Sequence, residues 1–232
     1  MKIARSNREG GSSFTRESNM NGEQHHSRSK RGLAPRVLFS IHGIRTYGQW
    51  AQTLTKVMVN HGFVVSSFSY GYLSFARFLL PSPRQQVTDH FAEWFRAQVK
   101  DLGICNSAEP ADRPSIIAHS FGASVVATAL QEHCDIRIDK LILCGSIIPC
   151  DFDWETLFDR RQIELIHNEV GTRDIWADLV RHLVSGTGAS GRRGFNTANE
   201  RCKNEQYEGY GHCDYLKPSH IEKRWLPVLL RS

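Results

Sequence analysis

Residues 114–126 read PSIIAHSFGASVV, and the fold turns on this stretch. Ile116 to His119 is a short β-rich run, Ser120 follows at a break, and Val125, Val126, Ala129 and Leu130 then recur at helical spacing. The pattern is strand, sharp turn, helix, with a serine on the turn. Small residues flank that serine, Ala118 two positions before and Gly122 two positions after. A serine elbow of the GxSxG type needs them because strand and helix backbones approach closely there. Ala118 in place of the first glycine adds one methyl group. An isolated Ser-x-Gly triplet carries little weight, since glycine makes up about 7% of ordinary sequences. Its surroundings decide.

Outward from the elbow, strand and helix signals alternate. Arg36 to His42 (RVLFSIH) reads as a buried strand broken by Gly43, and Gln49 to Val59 places Trp50, Leu54, Val57 and Met58 on one helical stripe. Phe63 to Tyr70 is the next strand. GYLSFARFLLP, ending at Pro81, is too short to span a bilayer and reads as a lid, an acyl-contacting surface or a buried connection. Arg84 to Leu102 is helical, with Val87, Phe91, Trp94, Phe95 and Val99 on one face. Lys140 to Ile148 reads as a strand, DWETLFDRR as a helix, and Gln162 to Glu169 as a strand closing at Gly171. IWADLVRHLV is helical, Tyr207 to Tyr215 is extended, and Ile221 to Leu230 closes the chain as an amphipathic helix or turn. Such alternation predicts an α/β fold, a mostly parallel sheet covered by helices on both faces. Ligands of such sheets sit beyond the carboxyl ends of the strands.

The 232 residues, 40% of them hydrophobic, suit a single domain, which we expect over 35–232. Residues 1–34 are Ser, Asn, Gly, Arg and Glu with few apolar groups and are expected to be disordered. That tail holds seven Lys or Arg and three Asp or Glu, so most of the +5 net charge lies there and the remainder is near +1. A nucleic-acid partner is therefore not expected of the folded part. The N-terminus lacks an apolar secretory segment and no run reaches membrane-span length, which gives a cytoplasmic expectation. Cys105, Cys134, Cys144, Cys150, Cys202 and Cys213 form no CxxC pair and read as reduced thiols. Neither HExxH nor paired CxxC marks a metal site, and His25 and His26 read as solvated tail residues. Gly186, Gly188 and Gly191 spell GxGxxG, but the run follows a helix instead of a strand, so SGTGASGRRG is expected to be a flexible loop near the site.

Three polar residues fall in loops after strands, in the order Ser120, Asp174, His212. A serine hydroxyl is a weak nucleophile at its own pKa and needs a base such as His212, whose ring an acid must orient. Asp174 is the expected acid, with Asp178 as its competitor. Developing negative charge on a substrate oxygen needs fixed donors. The N–H of Phe121, at the start of a helix, and that of Ile44, in a loop shaped by His42 and Gly43, are the candidates. Blander readings stand beside these. Ser120 could be a helix cap, His119 reads as a packed or bridging imidazole, and Arg45 and Arg173 read as surface pairs or anion-steering groups. Cys213 lacks an elbow and is rejected as a nucleophile.

IHGIRTYGQW, AHSFGASVV, LILCGSIIP, GTRDIW and GHCDYL together resemble the α/β-hydrolase superfamily, specifically small bacterial lipase or esterase-like members, from about Arg36 to Leu230. The resemblance implies a Ser120–His212–Asp174 triad, an oxyanion hole at Ile44 and Phe121, no metal or organic cofactor, and a carboxylic ester, such as a lipid ester, as substrate. It also admits a non-catalytic interaction module of the same fold, or an effector enzyme of a bacterial defence or stress system. Peripheral membrane contact is an expectation attached to FARFLLP, and a protein partner is not specified.

Overall fold

A computed structural model of the chain describes residues 36–44, 49–71, 74–104 and 109–231. The chain divides into Met1–Leu33 and Ala34–Ser232. The expected tail, with His25 and His26, lies outside the described residues, as do Arg45 and Cys105.

Six strands form one sheet in the order β2-β1-β3-β4-β5-β6, and every neighbouring pair is parallel. They are β1 (Arg36–Ile41), β2 (Phe63–Phe68), β3 (Ser115–His119), β4 (Lys140–Cys144), β5 (Leu165–Gly171) and β6 (Cys202–Tyr207). The central strands read as continuous apolar runs because both sheet faces are covered. β1 shows how one run serves two layers, since side chains alternate across a strand. Val37, Phe39 and Ile41 enter one apolar cluster and Leu38 enters the other.

The first cluster takes the inner faces of α3 (Pro81–Asp101), α4 (Phe121–Glu132), α5 (Trp154–Asp159) and α6 (Ile175–Leu183). The second takes α1 (Gln49–Val59) and the C-terminal helical run, which comprises α8 (Pro218–His220), a π-helical turn at Ile221–Trp225 and α9 (Leu226–Leu230). Two short helices, α2 (Phe75–Phe78) and α7 (Ser190–Arg193), and 3-10 turns at Pro110–Asp112 and Asp214–Leu216 complete the described set. Strand order reverses at β1, which lies between β2 and β3. The loop after β1 and the turn after β3 therefore flank the crevice where ligands of open parallel sheets bind.

Three expectations are corrected. The strand expected to run to Ile148 ends at Cys144, because Gly145 adopts a φ of +56° and turns the chain. SGTGASGRRG is not a flexible loop, since Gly188 N–H donates to Ile147 O at 2.7 Å, Gly191 N–H donates to Ser146 O at 2.8 Å, and α7 forms within it. A Cβ at Gly188 or Gly191 would collide with the backbone of Pro149 or Ser146, so these glycines serve close packing. The strand before the histidine is Cys202–Tyr207, and Tyr207 to Tyr215 is mostly turn and loop. CKNEQY is an edge strand with four exposed central residues, so no apolar alternation marks it.

Candidate active site

Ser120 sits between β3 and α4 with φ 56° and ψ −121°, a region costly for a residue with a Cβ. Its surroundings impose that geometry. Ser120 N–H donates to Cys144 O at 3.0 Å, and a Cβ at Gly122 would come within 2.7 Å of Ile41 Cγ2 and 2.8 Å of His42 O. Only glycine lets α4 start so close to the end of β1. Ala118 is fully buried in β3, and its one methyl group is accommodated. The helix-cap alternative for Ser120 fails on geometry, because its hydroxyl makes no capping bond to α4. The hydroxyl turns to His212 instead, with Nε2 and Oγ 2.8 Å apart.

His212 Nδ1 lies 3.0 Å from Asp174 Oδ2 and 3.1 Å from Oδ1. A carboxylate can only accept, so Nδ1 carries the proton and Nε2 is left to accept from the Ser120 hydroxyl. Asp174 is fully buried at the N-terminus of α6, where Oδ1 also accepts from Ala177 N–H at 3.1 Å. Asp178, its competitor, points elsewhere. It pairs with Arg192 at 2.6 Å, Arg193 at 3.1 Å and Arg181 at 3.4 Å.

The acid loop and the histidine loop are joined by hydrogen bonds from backbone N–H groups. Arg173 N–H donates to Tyr210 O at 2.9 Å, and Gly209 N–H donates to Thr172 Oγ1 at 2.8 Å. Within the histidine loop, Asp214 accepts from Gly211 N–H at 2.8 Å. Gly145 packs beneath the ring, since a Cβ there would stand 2.9 Å from His212 Nδ1.

The loop after β1 closes the other side. A Cβ at Gly43 would meet Ser120 Cβ at 2.6 Å and Oγ at 3.1 Å, so this backbone lies directly against the serine. Ile44 follows, and Phe121, as the first residue of α4, has an N–H that precedes the intrahelical bonding pattern. His42 bonds through Nδ1 to Gly43 O at 2.8 Å, stacks on Tyr70, and has its pKa lowered by burial.

Sequence reasoning gave less weight to two residues beside His212 than the structure does. His119 is fully buried, its Nε2 is 2.9 Å from His212 O, and its ring centroid is 4.8 Å from that of His212. Burial, with the neighbouring His212, pushes its pKa down to about 3, so it is a neutral Nε2–H donor holding the histidine loop. Trp176 lies 6.4 Å, centroid to centroid, from His212. It was legible only as part of a helical pattern. Cys213 stands aside, its thiol pushed up by partial burial and by the charges of Asp174 and Asp214. Among the described residues, Cys134, Cys144, Cys150, Cys202 and Cys213 are free thiols. No described helix is long and apolar enough to cross a membrane.

Solved structures share the fold that carries these residues. A protein of Xanthomonas campestris described as a hydrolase of the α/β superfamily superposes with a TM-score of 0.54 at 13% identity, over 84% of this chain and 98% of the other. A CIB-like hydrolase of Thermoplasma acidophilum gives 0.51 at 18% identity, over 84% and 86%. The chain has the α/β-hydrolase fold. A further protein, TT1662 of Thermus thermophilus, matches at 0.53 and 18% identity over 86% and 91%. No protein-family model and no curated protein sequence matches the chain. At these identities the α/β-hydrolase fold is common ground, and reactivity has to be argued from the side chains.

Proposed function

We propose that the protein is a serine hydrolase that cleaves a carboxylic ester through an acyl-enzyme. One observation carries the reading: Ser120 Oγ, His212 and Asp174 form an unbroken hydrogen-bonded line on a positive-φ turn at the carboxyl end of the sheet. His212 Nε2 takes the hydroxyl proton as Ser120 Oγ attacks the ester carbonyl carbon, and Asp174 stabilises the resulting imidazolium. The oxyanion meets the N–H groups of Phe121 and Ile44, donors of a kind worth about 3 kcal/mol each. Collapse expels the alkoxide, which takes the proton from Nε2. Water then adds to the acyl-enzyme, gives its proton to Nε2, and the carboxylic acid leaves as Ser120 regains its hydrogen.

An acyl ester with an apolar chain suits the surroundings. Phe78 packs edge-on against Phe121, and Phe75 stands between Phe78 and Trp176, so aromatic rings lead outward from the serine. The test is hydrolysis of short p-nitrophenyl esters by the purified chain. Turnover by the wild type and its loss in Ser120→Ala are expected; a Ser120→Ala protein as fast as the wild type would refute the nucleophile.

A further inference from the structure

Helix α6 is apolar on two sides. Ala177 and Val180 are buried against the sheet, yet Ile175, Leu179 and Leu183 on an adjoining stripe are 68%, 47% and 51% exposed. An amphipathic surface helix normally turns charge outward there. The stripe continues onto a second element. Trp176 and Phe75 have ring centroids 5.9 Å apart, Leu79 and Leu80 are also exposed, and Arg84 Nη1 donates to Ser185 O at 2.9 Å, tying the start of α3 to the chain just past α6. An apolar surface built from several elements, as this one is, marks a site of interaction.

Charge shows what covers it. On the other flank of α6, three guanidiniums (Arg181, Arg192, Arg193) share the single carboxylate of Asp178, leaving a local surplus of positive charge. A cleft of about 470 Å³ opens there, with Arg181, His182 and Arg193 in its wall against the one carboxylate of Asp151, so the balance stays positive. Residues 74–88 carry Arg77 and Arg84 and no Asp or Glu. A second copy of the chain would bring the same positive surplus to the contact and be repelled. An anionic lipid surface offers apolar chains to the stripe and phosphates to the arginines, the pattern of helices that lie in a membrane interface.

We propose that α2 and α6 form a docking face for an anionic lipid surface, with the α6 stripe entering the interface and the arginines engaging headgroups. Trp176, on this face and beside His212, places the candidate active site at its edge. As a route for a lipid ester to Ser120, the docking rests on the hydrolase reading; as binding, it does not.

The test is co-sedimentation of the full chain with vesicles of phosphatidylglycerol and phosphatidylcholine, compared with phosphatidylcholine alone. Binding to the anionic vesicles is expected, weakened by salt, with affinity falling about fivefold per arginine in Arg192→Gln and Arg193→Gln. It should fall at least about tenfold in the triple variant Ile175→Ser, Leu179→Ser, Leu183→Ser, whose cooperative unfolding shows that it remains folded. Ser120→Ala should bind as the wild type does, so vesicle binding and ester hydrolysis fail or succeed separately. A wild-type chain that stays in solution, a triple variant that binds undiminished, or a dimer that the triple variant abolishes would overturn the proposal.

Discussion

Two carboxylate–histidine pairs stand near the end of β5, and they have opposite surroundings. Asp174 and His212 form one; Glu169 and His220, 2.8 Å apart, form the other, and both carboxylates are fully buried. In the first pair the far ring nitrogen meets Ser120 Oγ, and the His212 side chain is itself partly open. In the second it meets Tyr210 OH at 3.4 Å, and the rings of Tyr207, Tyr215 and Trp225 pack around His220. Burial alone would raise the Glu169 pKa, but the nearby His167 imidazole, 3.7 Å away, and the hydrogen bond from His220 outweigh it and hold the carboxyl below its ordinary range. On the proposed function, the same chemistry serves catalysis in one place and anchorage in the other. What the far nitrogen faces decides which.

Exchanging each acid for its amide breaks the comparison most sharply. Asp174→Asn keeps the shape but stabilises the wrong imidazole tautomer, and turnover should fall about 10⁴-fold with the fold retained. Asp178→Asn, which alters only a surface arginine cluster, should leave the turnover of a short soluble ester unchanged, and steady-state kinetics on both variants checks this. Glu169→Gln should do the reverse. Losing one partner of a buried pair costs about 3–5 kcal/mol, so denaturant unfolding should show a large loss of stability while turnover per folded molecule persists. A Glu169→Gln protein of normal stability and no activity would place Glu169 in the chemistry.

Much of the site was legible because its residues obey local rules. The elbow announces itself through Ser120 and Gly122, Asp174 follows a strand and opens a helix, and parallel strands read as apolar runs. β6 was invisible because an edge strand can be polar along its length, and CKNEQY offers periodicity nothing to detect. The packing glycines Gly188 and Gly191 were misread because their partners, Pro149 and Ser146, lie some forty residues away in sequence. The Glu169–His220 pair escaped notice for the same reason, since its two members meet only once β5 and α8 are in place.

A smaller effect sharpens the comparison on the catalytic side. His119 has a folded pKa of about 3, below the ordinary 6.5, so the unfolded chain binds its proton first as pH falls. Its contribution to stability is complete above pH 6.5 and declines as pH drops from there toward 3, by about 1.4 kcal/mol per pH unit across that window. Denaturant unfolding at pH 7.5 and pH 5.5 should show a shallower acid loss in His119→Gln, whose amide can still donate to His212 O. Equal slopes in variant and wild type would mean that His119 is not the group responsible.

Most direct of all is labelling with a fluorophosphonate, which reacts with a serine only when a base has activated it and donors await the oxyanion. Peptide mapping of the labelled wild-type chain should place a single adduct on Ser120, absent in Ser120→Ala and slowed in Asp174→Asn. A wild-type protein that takes no label, or takes it on another residue, would contradict the assignment of Ser120, His212 and Asp174 as a catalytic unit.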